Sequence, residues 1–570
     1  MKLLRVVGSL DPAEGGLSQA IRSSADALAK LGINTEVVCC DSPEAEWLGT
    51  DSFPVHATGP RKYGFAYAPK LESWLEANLR RFDAVVIDGL WLWPSVCATR
   101  AVARERRRRL KDQEAKRLRG EEAEQRIFSH GLTRIDEDKS ERLAADRTRG
   151  NAASSVTRAG GKLSADGLAN SSLATRHPSL FVMPHGMLDP WFQRDKSRRV
   201  KAVRNWFYWW LVERGVVNSA DALLFTCQQE PELARTTFGG YRPKKEIVVG
   251  LGIEEPPAFE PKMRDAFAEK CPGLNAQSYL LFMSRIHAKK GVDLLLRAYA
   301  RVRSEHNKGI FSHSRATRDS VRPAGAGRGQ IDKEPCEDFS HGLTRIDADE
   351  SERLAADRTA GNASCQVIAY GPSTASRPPV PAVGSQSRQP GKEHDAFPDL
   401  VVAGPGWESD YGREVRGLID EANRSIASTA NCQLATANSS PIHAVGMLAG
   451  DSKWGALYGC EAFVLPSHQE NFGIAVAEAL ACGKPVLISD QVNIWREIVE
   501  DGAGIAETDT EEGVVKLLRK FLNARRDEGG DLRPEVRTKP RACYLKRFAI
   551  APAAAKLAEV LSADNRNRED

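Results

Sequence analysis

Short apolar runs alternate with amphipathic stretches along most of the chain. The run LLRVVGS at 3–9 is followed by a Gly-containing loop, by an amphipathic stretch over 17–32 that ends at a glycine, and by the run NTEVVCC at 34–40. Continuous apolar runs are typical of strands buried on both faces of a parallel sheet, and the apolar positions between them have helical spacing. The N-terminus therefore predicts a βαβ unit.

The alternation continues through two halves, which the Pro-rich segment 254–261 separates as a predicted hinge. Further strands are predicted at 83–89, 180–186, 221–227, 246–250, 279–285, 399–404, 442–447, 462–467 and 484–490. In the second half, helices are predicted around 291–304, 409–423, 452–458, 474–482 and 493–500. We therefore expect an α/β protein with two Rossmann-like, doubly wound parallel sheets, and a ligand in the cleft between their carboxyl edges.

An internal repeat interrupts this pattern twice. The segments at 128–156 and 339–367 are identical at 23 of 29 positions, are charged and rich in Ser, Ala and Gly, and almost lack aromatic residues. Such composition indicates inserted, disordered segments rather than folded modules. We expect insertions at about 104–178 and 305–396. The Arg-rich run at 106–109 could bind nucleic acid or an anionic membrane, but its acidic neighbours favour a solvated charged helix.

These observations divide the chain. The predicted N-terminal domain spans 1–253 and contains the first insertion. The predicted C-terminal domain spans 262–540 and contains the second, while a helix over 541–562 is expected to pack back on the N-terminal domain, before a tail at 563–570.

Composition narrows the possible protein classes. The 80 Lys and Arg residues against 76 Asp and Glu leave a net charge of +4, which removes any whole-chain argument for nucleic-acid binding. No apolar run is long enough to span a bilayer, and the N-terminus lacks the apolar core of a secretory signal. The 11 cysteines are scattered without a CxxC motif. They argue against a disulfide framework and a zinc site, and favour the cytoplasm.

The stretch 466–490 carries the most informative chemistry. A strand end, a polar loop with Glu470, and a helix that begins near Gly473 would point free N–H groups and a positive dipole at the cleft, as a phosphate requires. Glu470 and Glu478, eight residues apart, can accept hydrogen bonds from sugar and ribose hydroxyls. Taken alone the pair is weak, because solvent-facing glutamates are common on helices.

A second loop, in SRIHAKKGVDLLLRAYA at 284–300, places Arg285 and Lys290 between a buried strand and an amphipathic helix. Two cations there can neutralise a diphosphate leaving group. Solvated loop cations are the alternative interpretation.

Together these motifs resemble the retaining glycosyltransferases of family 4, within glycosyl transferases group 1, which have the GT-B fold. The resemblance covers nearly all of the chain outside the insertions. It rests on five matches in order: GG at 15–16, the Arg-x4-Lys-Gly of 285–291, LVVAGPG at 400–406, the Glu-x7-Glu of 470–478, and the strand end ISD after GKPV. Ser284 departs from the glycine that the family commonly has there.

The resemblance implies a role for each matched residue. Arg285 and Lys290 would bind the diphosphate, Glu478 the ribose and Glu470 the transferred sugar, while His185 in MPHGMLDPW would be the N-domain histidine near the reaction centre. The resemblance also implies that Gly15 and Gly16 form the tight loop that approaches the donor diphosphate and that Gly404 and Gly406 lie in the loop near the nucleotide. The backbone N–H groups of Asn471, Phe472 and Gly473 would help to hold sugar and phosphate.

The implied reaction transfers a sugar from a UDP- or GDP-sugar to an acceptor hydroxyl with retention, in cell-surface polysaccharide, lipopolysaccharide or exopolysaccharide synthesis. No metal and no other cofactor is expected, because the cations and the helix end supply the positive charge. A nucleotide-sugar epimerase or hydrolase of the same fold, which would need other acid and base residues, and a non-catalytic scaffold carrying the repeats remain alternatives.

The segment 196–217 joins a basic stretch to the aromatic run WFYWW. This combination would suit a helix at an anionic membrane surface, at the inner face of the membrane and near a lipid-linked acceptor. Packing against the N-terminal domain is the other interpretation.

Overall fold

The computed structural model describes residues 1–12, 16–62, 64–145, 177–195, 198–274, 278–308, 397–429, 440–525 and 534–566. These residues form two α/β domains, each built on a parallel sheet.

The first sheet has the order β3-β2-β1-β4-β5-β6-β7. Its strands are β1 (Lys2–Val7), β2 (Asn34–Cys39), β3 (Val55–Ala57), β4 (Ala84–Asp88), β5 (Ser179–Met183), β6 (Ala222–Phe225) and β7 (Glu246–Val248). All neighbours are parallel; Leu3 of β1, for example, pairs with Thr35 of β2 and Ala84 of β4. The helices of this half are α1 (Gly16–Ala29), α2 (Pro69–Asn78), α3 (Trp93–Ala145), α4 (Trp191–Arg194), α5 (Arg199–Tyr208), α6 (Arg214–Ser219) and α7 (Gln229–Thr237).

The second sheet has the order β10-β9-β8-β11-β12-β13. Its strands are β8 (Tyr279–Met283), β9 (Asp399–Ala403), β10 (Ile442–Val445), β11 (Ala462–Leu465), β12 (Val486–Ser489) and β13 (Gly504–Glu507). The helices of this half are α8 (Pro261–Lys270), α9 (Val292–Asn307), α10 (Asp410–Thr429), α11 (Gly450–Gly459), α12 (Ile474–Ala481), α13 (Trp495–Glu500), α14 (Glu511–Ala524), α15 (Pro534–Cys543) and α16 (Ile550–Arg566).

The expectation of two doubly wound parallel sheets is confirmed. In both sheets the strand order reverses beside the first strand of the domain, so the loops after β1, β4, β8 and β11 lie at the switch points where such folds bind ligands. The sequence did not predict β3 and β13. Both are edge strands of three or four half-buried residues, too short for a clear apolar run.

The first insertion was expected from about 104, with a charged helix at its Arg-rich run, and α3 runs through this stretch to Ala145. The start of this stretch is held by the domain. Glu105 is buried between Arg80 and Arg109 at 3.0 and 2.8 Å, and Arg106 donates to the carbonyl oxygen of Pro178 at 3.0 Å. The Arg-rich run is therefore helical but not wholly solvated. Residues 146–176 lie outside the described residues.

The second insertion was expected from about 305, and α9 extends to Asn307. Residues 309–396, which include the second repeat copy, lie outside the described residues.

The chain passes between the two domains twice, and these two crossings lie side by side. Residues 254–260 form no helix or strand, as a hinge requires. Beside them, the chain returns at Ala549, where Ile253 donates to Phe548 and accepts from Ile550, both at 2.9 Å. From there α16 packs on the N-terminal domain, with Leu557 and Leu561 in a core shared with Leu3, Leu28 and Phe181. No helix of the described residues is long and apolar enough to cross a membrane.

Candidate active site

The loop after β8 brings three cations to the carboxyl edge of the second sheet. It runs from Ser284 to Gly291 and includes one 3-10 turn, Ala288–Lys290. Gly291 ends this turn at φ +65, and a Cβ there would lie 2.2 Å from the carbonyl oxygen of Pro466. Only glycine tolerates both the left-handed backbone and this approach. The glycine of the Lys-Gly pair therefore fixes the backbone beside Lys290.

Two further glycines hold the other end of this loop. Gly404 and Gly406 have φ values of +143 and +108, and a Cβ on Gly404 would lie 1.7 Å from the carbonyl oxygen of Ser284. The chain leaving β9 can therefore run directly against the loop, where Ile286 donates to the carbonyl of Pro405 at 2.8 Å. These glycines set the position of Arg285, although the sequence analysis placed them near the nucleotide.

Arg285 and Lys290 differ in their surroundings. Arg285 is exposed, and no described residue supplies a carboxylate partner for it. Lys290 is 6% exposed, and its ammonium is bound by the carboxylate of Glu470, on the loop after β11. The loop therefore offers one free cation and one buried cation that is already charge-balanced.

Lys289 is a third cation, which the sequence analysis missed. Its Nζ lies 5.3 Å from the ring centre of Trp191 and 5.0 Å from that of Phe192, both in the N-terminal domain. Burial lowers the pKa of Lys289 to about 8, and the charge of Glu470 opposes that shift. An ammonium over two aromatic faces is attracted to their ring quadrupoles. Lys289 therefore links the domains beside Lys290.

The loop after β11 carries Glu470 to the start of α12. Glu470 is anchored through its backbone, which donates to Gln491 at 3.0 Å and accepts from Asn493 at 2.9 Å. Gly473 precedes α12 at φ +73, and its carbonyl already accepts from Val476 at 2.9 Å.

The amide N–H groups at the turn into α12 have the geometry that an anion needs. Asn471, Phe472 and Gly473 donate their backbone N–H groups to no acceptor among the described residues. The side chain of Phe472 is buried, with its ring 5.7 Å from that of Phe548. The backbone is therefore held by the core while its donors stay available at the positive end of a helix dipole.

Glu478 lies one turn inside α12 and is paired with a cation that the sequence analysis missed. Its Oε1 is 2.8 Å from the Nζ of Lys453 on α11, and both side chains are mostly buried. Lys453 also lies over the ring of Trp454, 4.1 Å from its centre. The carboxylate is thus held in one orientation, with its second oxygen available as an acceptor.

His185 occupies the facing loop of the first sheet, after β5. It has a left-handed backbone at φ +52, and its Nε2 lies 3.0 Å from the Oδ1 of Asp88, at the end of β4. Asp88 is fully buried and also accepts from the Nε of Arg5 at 2.8 Å. Burial alone would raise the pKa of this carboxyl, but the charge of Arg5 and the hydrogen bond from His185 lower it overall. Asp88 therefore stays ionised and orients the imidazole.

Sequence reasoning missed Asp88 and Arg5. The polar ends of the runs LLRVVGS and DAVVIDG were visible, but nothing in the sequence pairs residues that are 83 positions apart.

Further contacts bring the two sets of loops together. A Cβ on Gly186 would lie 2.6 Å from the side chain of Asn471, and the Nδ2 of Asn471 donates to the Oγ1 of Thr226 at 3.0 Å. A Cβ on Gly16 would lie 2.2 Å from the Cδ1 of Ile474, at the first residue of α12. The Nε2 of Gln469 donates to Asp189 at 3.0 Å. Gly15 lies outside the described residues.

Across these contacts, Gly16 and Gly186 of the N-terminal domain meet Ile474 and Asn471 at the start of α12. Among the residues that the structure describes, no three His, Cys, Asp or Glu side chains are grouped as a metal site requires. Independence of metal stays a prediction.

Comparisons with known proteins give one family match and several proteins of similar fold. Residues 436–536 match the model of the family described as glycosyl transferases group 1. No curated protein sequence matches the chain.

Several solved structures share the fold. Sucrose-phosphate synthase from Thermosynechococcus elongatus is 13% identical, with a TM-score of 0.52 over 100% of both chains. The HepE protein of Anabaena, in complex with UDP and glucose, is 13% identical, with a TM-score of 0.51 over 99% of this chain and 100% of its own. A glycosyltransferase from Rickettsia africae is 11% identical, with a TM-score of 0.53 over 99% of each chain. At these identities the likeness concerns the fold, and the GT-B fold is confirmed.

Proposed function

We propose that this chain, whose residues 436–536 match the model of glycosyl transferases group 1, is an enzyme that transfers a sugar from a nucleoside diphosphate sugar to an acceptor hydroxyl, with retention of anomeric configuration. UDP- and GDP-sugars are the donors that we propose. The acceptor that we propose is a saccharide or a lipid-linked oligosaccharide of cell-surface polysaccharide, lipopolysaccharide or exopolysaccharide synthesis.

One observation carries this proposal: Lys290 and Glu470, 180 residues apart, form an ion pair beside the unused N–H groups that precede α12. A cation and helix-terminal donors suit the phosphates, and a carboxylate suits sugar hydroxyls. The pair supports a site in which phosphate and sugar are bound side by side.

Each part of the donor would contact different residues of this site. Arg285 and Lys290 bind the diphosphate, which gives the exposed guanidinium the anion that it lacks and shares the ammonium between Glu470 and phosphate. Glu478 accepts hydrogen bonds from the ribose. The HepE structure, which contains UDP and glucose, supports a donor of this chemical class.

The transfer step would take place between the two domains. As the bond from the sugar to the diphosphate breaks, the acceptor oxygen forms its bond on the same face, and its proton passes to the departing phosphate oxygen. Arg285 and Lys290 stabilise the charge that develops on the phosphate. His185 hydrogen-bonds the donor sugar, and Glu470 holds its hydroxyls without acting as a nucleophile. We propose that no metal is needed, since these cations supply the positive charge.

The test is thermal stabilisation of the purified chain by UDP-, GDP- and ADP-sugars. One class of donor is expected to raise the melting temperature. Arg285→Ala and Glu478→Ala are expected to weaken donor binding about tenfold or more, since each removes a charged hydrogen-bonding group. Arg297→Ala, an exposed arginine on α9 of the same domain, is the matched control and should leave binding unchanged. No shift with any donor, or equal shifts in all variants, would show that the donor site is wrongly placed.

A further inference from the structure

An apolar face on α5 and the π-helical turn that follows it, Trp209–Glu213, is exposed to solvent. Val200 is 86% exposed, Leu211 81% and Phe207 56%. We call these residues and their neighbours on the same side the exposed face; its other members are Val203, Trp206 and Trp210. Their spacing by three and four residues places them on one side of the helix.

The exposed face is held in place by a buried anchor. Trp209 is fully buried, stacks on Phe238 at 4.8 Å between ring centres, and donates its indole N–H to Gly239 at 2.8 Å. The face is therefore not a frayed end of the domain. Packing against the N-terminal domain, the alternative from the sequence, holds for Trp209 and in part for Trp210, whose ring lies beside Gly239, while the other five apolar residues are at least half exposed.

The charges beside the face are of one sign. Residues 198–217 contain a single carboxylate, Glu213, which is buried. The same residues contain five cations, Arg198, Arg199, Lys201, Arg204 and Arg214. Aromatic and aliphatic side chains flanked by Lys and Arg are the composition of helices that lie in the interface of an anionic bilayer.

We propose that the exposed face docks the protein on an anionic membrane surface. A second copy of the chain would satisfy the apolar residues, but it would bring two sets of five cations against each other. A bilayer with anionic headgroups accepts both the apolar residues and the cations. This occupant is therefore the one that the observations favour.

The exposed face is connected to the loop that carries His185. Glu213, at the end of the π-helical turn, accepts from the backbone N–H of Trp91 at 2.7 Å, and the indole N–H of Trp91 donates to Met187 at 3.1 Å. Met187 is two residues after His185. The face thus holds the N-terminal domain and its His185 at the lipid, an orientation that rests on the proposed transfer and that makes a lipid-linked saccharide the acceptor class.

The experiment is co-sedimentation of the full chain with vesicles of phosphatidylcholine alone and of phosphatidylcholine mixed with phosphatidylglycerol. Binding to the mixed vesicles is expected, weaker at high salt and weaker on phosphatidylcholine alone. The double variant Phe207→Ser/Leu211→Ser is expected to bind at least about tenfold less, because two large side chains no longer enter the lipid. Arg204→Gln should weaken binding about fivefold.

Leu31→Ser is the control, since Leu31 is half exposed in the same domain but lies after α1, away from the face. It should bind as the natural chain does. Donor-induced thermal stabilisation should persist in the double variant, which separates failure of docking from failure of the donor site. Equal vesicle binding by the natural chain and the double variant would overturn the proposal. The proposal would also be overturned if the natural chain bound no vesicles and formed a dimer, and the double variant were a monomer.

Discussion

The carboxyl edges of the two sheets have the same architecture and opposite uses of charge. At the edge of the C-terminal domain, Arg285 is exposed without a carboxylate partner among the described residues, and Lys290 pairs with Glu470 beside backbone N–H groups that have no acceptor among those residues. At the edge of the N-terminal domain, Arg5, Asp88 and His185 satisfy one another inside the protein. The first edge is arranged to receive an anion, whereas the second is already neutralised and orients one imidazole.

This difference shows that the topology of the sheet determines where polar residues lie but not what they interact with. Equivalent strand ends carry the cations that we propose for the ligand in one domain and an internal counter-ion in the other. Substitutions at the two edges should therefore separate ligand binding from stability.

The largest effect is expected from Asp88→Ala, which leaves Arg5 buried without its counter-ion. Loss of one partner of a buried pair destabilises a protein by about 3–5 kcal/mol. Because the pKa of Asp88 is lowered in the folded state, its contribution is present above the ordinary carboxyl pKa and is lost as pH falls through the folded value. Denaturant unfolding at neutral and acidic pH measures both effects.

Glu232→Ala is the control for that variant, because Glu232 forms an ion pair with Arg496 in which both side chains are about half exposed. It should change the free energy of unfolding by less than about 1 kcal/mol. Equal losses in the two variants would mean that Asp88 is not a buried structural charge.

Lys290→Ala should lower activity more than stability. We expect kcat/KM to fall about 10²–10³-fold and the free energy of unfolding to fall less than in Asp88→Ala. Glu470, which it leaves without a cation, keeps 21% of its side chain exposed and can be solvated. Steady-state kinetics with the donor found by thermal shift measures this. Lys262→Ala, an exposed lysine of the same domain, should retain full activity. Unchanged kinetics in Lys290→Ala would remove the contrast between the edges.

Glu213→Gln tests a buried carboxyl of the N-terminal domain through pH. Burial raises the pKa of Glu213 to about 7, so the folded state binds more protons than the unfolded state between about pH 4.5 and 7. Stability should therefore fall as pH rises through that window, by up to about 3 kcal/mol at 1.36 kcal/mol per pKa unit. Glutamine can still accept from Trp91 and Ser95, which both bond the carboxylate.

The difference in unfolding free energy between the variant and the natural chain, measured at pH 5 and pH 8, reports this effect. Glu213→Gln should be the more stable of the two at pH 8. A difference that does not change with pH would show that Glu213 is not buried.

The smallest effect is expected from Gly186→Ala, where the two edges touch. The added Cβ meets Asn471 at 2.6 Å, and alanine at φ +78 is strained by about 1 kcal/mol or more. Turnover should fall about tenfold, while donor binding by the C-terminal domain changes little. Gly239→Ala, whose Cβ would have only an ordinary contact at 3.7 Å, is the comparison. An equal loss of donor binding in Gly186→Ala would show that the donor needs both edges.

The buried strands were predictable because each is an apolar run between polar ends, and every predicted strand is present. The edge strands β3 and β13 were not, since each has only three or four residues and all of them are half-buried. The charged helix at the Arg-rich run was predictable, since Arg, Lys, Glu and Ala favour helices. The pairing of Glu105 with Arg80 was not, because it is a tertiary contact that composition does not contain.

The candidate site was predictable as a set of loop residues and not as a set of pairs. Lys290, Glu470 and Glu478 are conspicuous in their motifs, yet the partnership of Lys290 with Glu470 and of Glu478 with Lys453 depends on how separate loops meet. Lys289 was overlooked because the aromatic rings under it come from the other domain.

The chain passes between the domains twice, at Ile253 and at Ala549, and these two points are adjacent. A rotation of one domain about these two points would separate the loops far from them, including Gly186 from Asn471. The chain near Ile253 would hardly move. Such a rotation could be measured as a change of distance between two fluorophores placed across the loops. A second pair, placed across the two points where the chain passes between the domains, would serve as the stationary reference.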